Sequence, residues 1–197
     1  MQTTYVIATN NEHKLKEIRA ILETDKRKFF SMREAGIHTD PEETGTTFEE
    51  NALIKARAAC AASGLPAMAD DSGIAVDALN GGPGIFSARY CEGSDEDRVH
   101  FLLKNLENVP DGQRGGRFVS AIACVFPDGT EFTVRGECFG QILREMRGAG
   151  GFGYDPVFFD PKENATFAQI PQERKNEISH RARALAKMKA ELEARGL

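Results

Sequence analysis

The 197 residues carry 25 Lys and Arg against 30 Asp and Glu, a net charge of -5, with 41% hydrophobic and 28% charged residues. Such proportions fit one good-sized globular domain or two lobes sharing a core, and they argue against a general polyanion-binding surface, which needs clustered cations. No apolar run approaches the roughly 20 residues that span a bilayer, and the chain enters an apparent strand at Tyr5 to Ala8 without the basic and apolar regions of a secretory leader. A cytoplasmic protein with neither membrane nor nucleic-acid-polymer partners is the expectation. Cys60, Cys91, Cys124 and Cys138 form no Cys-x-x-Cys pair and read as reduced, structural thiols.

Thr4 to Thr9 reads as a strand, and Leu15, Ile18, Ile21 and Leu22 then recur at helical spacing. The joint between them, Thr9-Asn10-Asn11-Glu12-His13-Lys14, offers three candidate helix caps. A helix start presents free N–H groups and a positive dipole end, and Lys14 would add a cation to the same anion site. The bland alternative is a structural cap followed by a solvated lysine.

A second strand is expected at Lys28 to Met32. Thr47 and Glu50 match a capping box, and Phe48, Ala52, Ala56, Ala59 and Ser63 trace one stripe of a small-residue helix that Gly64 and Pro66 stop. Glu42 and Glu43, just before it, are either solvated loop acids or metal ligands. Ala67-Met68-Ala69 then reads as a buried strand ending in Asp70-Asp71-Ser72-Gly73, where Ser and Gly supply a turn. Two adjacent carboxylates at a strand mouth repel and lose hydration, and a divalent cation or a proton-transfer task compensates them. With Glu42 or Glu43 they can complete a carboxylate cluster around Mg²⁺.

Asn80-Gly81-Gly82-Pro83-Gly84 is a tight loop or a flexible cover, without a Walker A pattern. Ser94 and Asp97 open a helix whose Val99, Leu102, Leu103 and Leu106 form an apolar stripe. Arg117 to Phe126 and Thr130 to Phe139 are strands joined at Pro127-Asp128-Gly129, a hairpin signal. Parallel pairing near the amino terminus and this antiparallel extension make a mixed sheet.

The segment Gly148 to Pro156 packs four glycines into six positions, with Phe152 and Tyr154 interspersed. It reads as a ligand loop, exposed amides beside faces for base stacking, or as a glycine bulge with core aromatics. Lys175, His180 and Arg181 precede a terminal amphipathic helix carrying Leu185, Met188 and Leu192, which Ser179 can cap. Cations at a helix start oppose the dipole, so an anionic or carbonyl-rich ligand is expected there.

Six segments in this order resemble the inosine/xanthosine triphosphate pyrophosphatase family: Thr9-Asn10-Asn11-x-x-Lys14, Glu43 to Ala52, Ala69 to Gly73, Pro83 to Arg89, Gly150 to Pro156 and Ser179-His180-Arg181. The resemblance implies one domain over residues 1–197, an α/β fold with an elongated mixed β-sheet, helices on both sides and two lobes flanking a central substrate cleft. It also implies a homodimer and Mg²⁺-dependent hydrolysis of deaminated purine nucleoside triphosphates to monophosphate and pyrophosphate. Residue by residue, Thr9, Asn10, Asn11 and Lys14 would hold the triphosphate. Asp71 would be the general base or activator of metal-bound water, with Ser72 touching substrate. Phe152, Gly153, Tyr154, Asp155 and Lys175 would bind the nucleotide, and His180 and Arg181 would face the base. Glu43 and Asp71 would ligate the metal, assisted by Glu42 and Asp70. Asn10 departs from the glycine that members often carry. The rival functions are a metal-dependent hydrolase of another modified nucleotide and a non-catalytic nucleotide sensor.

Overall fold

Residues 2–197 are described by a computed structural model. Seven strands follow the order β2-β1-β3-β4-β5-β6-β7 in one open mixed sheet. They are β1 (Thr3–Ile7), β2 (Arg27–Ser31), β3 (Ala67–Val76), β4 (Gly115–Val125), β5 (Glu131–Ile142), β6 (Phe158–Asp160) and β7 (Ala165–Thr166). The chain divides into two units. The first comprises the residues up to Asp71 with Ser120–Gly136 and Arg181–Leu197, and the second comprises Ser72–Val119 with Glu137–His180.

In the first unit β1 pairs in parallel with both β2 and β3, Tyr5 opposite Phe29 and Val6 opposite Ala67. Strand alternation sorts the side chains onto two covered faces. Tyr5, Ile7, Phe29, Met68, Ile122 and Cys124 share one cluster with Leu15, Ile18 and Leu22 of α1 (Glu12–Leu22) and Leu185, Met188 and Leu192 of α5 (His180–Ala194). Val6, Ala8, Ala67, Ala69, Ala123 and Val125 share another with Ala52, Ala56 and Ala59 of α2 (Phe48–Ser63). The alanine stripe brings α2 close to the sheet.

Local chemistry sets the ends of these helices. Asn11, rather than Thr9 or Asn10, caps α1, its Oδ1 accepting from the amides of His13 at 3.0 Å and Lys14 at 3.2 Å. Thr47 Oγ1 accepts from the Glu50 amide, but the Glu50 carboxylate reaches one residue further back than a capping box requires, to Thr46 N and Oγ1. Gly64 closes α2 in the left-handed region at φ 67°, where a side chain is disfavoured.

The second unit gathers Ile74, Val76, Val99, Leu102, Leu106, Phe118, Tyr154, Val157, Phe158 and Phe167 into one core. Its α3 (Asp95–Asn105) carries the full Ser94/Asp97 capping box. β5, β6 and β7 continue antiparallel. The buried Arg114 guanidinium donates to the carbonyls of Leu106, Ile142 and Leu143, so its charge is spread over backbone dipoles.

Two expectations need correction. The segment Asp70 to Gly73 is no turn: β3 runs unbroken from Ala67 to Val76, and Asp70 and Asp71 sit buried within it. Lys175 does not lie at the start of the terminal helix but on a separate short helix, α4 (Gln172–Ile178), which ends where Ser179 turns extended before α5. No helix of the described residues is long and apolar enough to cross a membrane. All four cysteines are free thiols.

Candidate active site

The first unit's polar centre is built where β1 ends and α1 begins. Thr9 Oγ1 accepts from the Asn11 amide at 3.1 Å, folding the joint so that the α1 cap follows directly. Thr9, Asn10 and Lys14 then line a polar cavity of about 180 Å³, together with Glu43, Lys55 and Asp70. Two sets of charges meet here.

The first set centres on Asp70, whose side chain is fully buried. Lys14 Nζ lies 2.5 Å from Oδ1, and Ser120 Oγ donates to Oδ2 at 2.6 Å. Arg181 adds Nε and Nη2 at 3.4 and 3.5 Å, while its Nη1 holds Glu17 at 2.7 Å. Burial pushes the Asp70 pKa up, but Arg181, Lys14 and Ser120 outweigh it and hold the carboxyl well below the usual range. Asp70 is therefore an ionised hub shared by two cations. Lys14 is lowered from an ordinary lysine by burial, with Arg181 and Lys55 adding repulsion against the pull of Asp70.

In the second set, Lys55 of α2 bridges Glu43 Oε1 at 2.9 Å and Asp71 Oδ1 at 2.8 Å. Burial lowers the Lys55 pKa, yet the two carboxylates reverse that and raise it. Asp71 is itself raised, chiefly by burial, with Glu43 adding repulsion against the pull of Lys55 and Lys14. Asp71 Oδ2 is buried and has no hydrogen-bond partner among the described residues. Glu42 is exposed. A divalent cation fits this donor set: two carboxylates, one with a buried oxygen unused, which suits an ion that takes one or two protein carboxylates and finishes its shell with water and phosphate. No group of three His, Cys, Asp or Glu among the described residues makes a closed metal cluster.

Lys55 was not expected from the sequence. The signal for it was a lone lysine abutting the Ala52-Ala56-Ala59 stripe, but only the fold shows which acids that face meets.

The remaining expected residues belong to the second unit. Ser72 follows Asp71 in β3 and is partly buried. In the loop from Gly148, Asp155 accepts from the Phe152 amide at 2.8 Å and from buried Lys175 Nζ at 2.5 Å. The same ammonium sits 4.6 Å from the centre of the Phe152 ring. Tyr154 belongs to the core, its hydroxyl donating to Ser87 O at 2.8 Å, and Gly153 N donates to Asp95 at 3.0 Å. His180 is stacked on Phe118, ring centres 4.7 Å apart. The cations around the α5 start thus have buried carboxylates of their own, Asp155 for Lys175 and Asp70 with Glu17 for Arg181.

Comparison with known proteins adds an independent line. The chain is 51% identical over 189 residues to a dITP/XTP pyrophosphatase of Symbiobacterium thermophilum, covering 94% of this chain and 93% of that one. It is 48% identical over 195 residues to a dITP/XTP pyrophosphatase of Haemophilus ducreyi, covering 97% and 99%. Its fold superposes on a HAM1 protein from Coxiella burnetii with a TM-score of 0.90 at 40% identity, covering 98% of this chain and all of the other. The model of the Ham1 family matches residues 5–191, and the chain belongs to that family.

Proposed function

We propose that this protein hydrolyses deaminated purine nucleoside triphosphates, dITP, ITP and XTP, to the monophosphate and pyrophosphate, clearing them from the nucleotide pool. The observation that carries this reading is the pairing of a buried carboxylate, Asp71, with Glu43 and three cations, Lys14, Lys55 and Arg181, in one polar centre. The near full-length identity to dITP/XTP pyrophosphatases supports the substrate class.

Glu43 and Asp71 would hold Mg²⁺, which when bound neutralises phosphate oxygens and acidifies water. The chain's own groups account for the rest. Thr9, Asn10, Asn11 and Lys14 hold the triphosphate at the start of α1, Lys14 as a point charge on its oxygens. Asp71 takes the proton of the water that attacks the α-phosphorus, and the bond from that phosphorus to the bridging oxygen breaks, releasing pyrophosphate.

The nucleoside end is assigned to Ser72, Phe152, Gly153, Tyr154, Asp155, Lys175 and His180. Phe152 offers a stacking face, and Tyr154 and Asp155 hold the loop that carries it. Arg181, already shared by Asp70 and Glu17, anchors the start of α5 directly after His180. A donor aimed at a 6-oxo group is satisfied by hypoxanthine or xanthine and left unpaired by the amino group of adenine, a difference large enough to discriminate. We further propose one catalytic domain of two lobes, acting in the cytoplasm as a homodimer.

The deciding experiment measures Mg²⁺-dependent pyrophosphate release from dITP and XTP beside ATP and GTP. Pyrophosphate from the deaminated nucleotides, with ATP slow, is the expected outcome. Orthophosphate as first product, or equal rates on ATP, overturns the reading.

A further inference from the structure

Lys55 Nζ stands 2.9 Å from Glu43 and 2.8 Å from Asp71, the two carboxylates assigned above to the divalent cation. Magnesium draws its oxygens to about 2.0–2.1 Å and demands near-octahedral order. A metal ion coordinated by both acids would bring two further positive charges close to the ammonium that already bridges them through Glu43 Oε1 and Asp71 Oδ1, so the two cations compete for the same carboxylate pair. The side chain of Lys55 is 18% exposed, and a flexible four-carbon stem can carry its charge several ångströms without moving α2. No third acid, histidine or cysteine among the described residues completes a metal cluster that would win this competition unaided.

We propose that Lys55 is a resident cation that holds the Glu43–Asp71 pair in the nucleotide-free protein, must be displaced for the divalent cation to bind, and then carries its ammonium to the incoming triphosphate. Metal affinity and nucleotide affinity are coupled through this one side chain, and the coupling is reciprocal. The two acids are kept paired between turnovers, so the carboxylates never face each other unscreened. The inference rests on the reading of Glu43 and Asp71 as the metal pair.

The test titrates Mn²⁺ into the nucleotide-free protein, following free ion by electron paramagnetic resonance. Lys55→Gln is expected to bind Mn²⁺ at least tenfold more tightly than wild type. Lys14→Gln removes an ammonium from the same cavity but leaves the Lys55 bridge, and is expected to change the Kd less than threefold. Equal tightening in both variants means that charge removal alone is at work and overturns the proposal, as does an unchanged Kd in Lys55→Gln. Asp71→Asn added to Lys55→Gln should abolish the tight site; if binding survives unchanged, the metal reading itself fails. In wild-type protein the ¹⁵N resonance of Lys55 Nζ should shift as Mg²⁺ saturates, which tests displacement without a variant. A resonance that stays in place at saturation overturns it.

Discussion

Arg181 and Asp70 are separated by 111 positions in sequence and share an ion pair inside one unit, Nε to Oδ2 at 3.4 Å and Nη2 to Oδ1 at 3.5 Å. With Glu17 and Lys14 they form a buried chain of alternating charge, Glu17-Arg181-Asp70-Lys14. Removing one member leaves its neighbours charged without compensation. Asp70→Asn is therefore expected to cost about 3–5 kcal/mol, the range for breaking a buried pair, read as a lower urea midpoint with unchanged slope. A loss below about 1 kcal/mol would contradict this account.

The same carboxylate sets an acid limb. The folded pKa of Asp70 lies well below the ordinary aspartate value, so its stabilisation is fully present above the unfolded pKa, about 4, and is lost as pH falls below that. Stability of wild type measured by urea melts from pH 6 down to 2.5 should fall more steeply than that of Asp70→Asn. Parallel curves would mean that other carboxylates set the limb.

Asp71 makes the opposite trade. Its raised pKa means that burial of its charge is under-compensated, so exchanging it for asparagine sacrifices little folding free energy. Asp71→Asn should keep Tm within a few degrees of wild type while turnover falls by about 10²–10⁴, the contribution of a positioned general base. Intact turnover would remove Asp71 from the chemistry, and a collapsed Tm would make its role structural.

Gly151 offers a test of the aromatic loop. At φ 72° a side chain is disfavoured, and a Cβ would sit 2.1 Å from Asp155 Oδ2, the atom that receives both Phe152 N and Lys175 Nζ. Gly151→Ala is expected to dislodge Asp155 and raise KM for dITP at least tenfold while lowering kcat less. An unaltered KM in steady-state kinetics would show that the loop does not set nucleotide affinity.

Strand β3 is equally intolerant at Gly73, where a Cβ would stand 2.4 Å from both Gly84 O and Ser87 Oγ. Overpacking of this kind costs about 1–3 kcal/mol, so Gly73→Ala should lower the urea midpoint. Gly112→Ala, with no neighbour within 4 Å and an ordinary φ, should change stability by less than about 0.5 kcal/mol. Matching losses at the two sites would refute the steric argument.

Interactions between residues a few positions apart were legible in the chain before it was folded. Asn11, Ser94 and Gly64 cap their helices because their partners lie two to four positions away. Phe126 to Thr130 closes a hairpin around Gly129 at φ 89°, as Asp-Gly demanded. The alanine stripe of α2 likewise marked the face it buries, and the order of the short motifs was enough to point to the family.

The partners of the charges, by contrast, are set by how distant segments come together in the fold. Asp70 and Asp71 are adjacent in sequence, but a strand sends successive side chains to opposite faces, so one meets Lys14, Ser120 and Arg181 while the other meets Lys55. That same extended backbone replaced the turn that Ser-Gly suggested: pairing and burial on both faces outweighed local turn preference. Lys175 and Arg181, six positions apart, satisfy different carboxylates because a helix break at Ser179 separates them. Long-range ion pairs depend on strand order and helix register, which no short window of sequence encodes. Lys55 escaped the sequence reading for that reason, although it is the residue that joins Glu43 to Asp71.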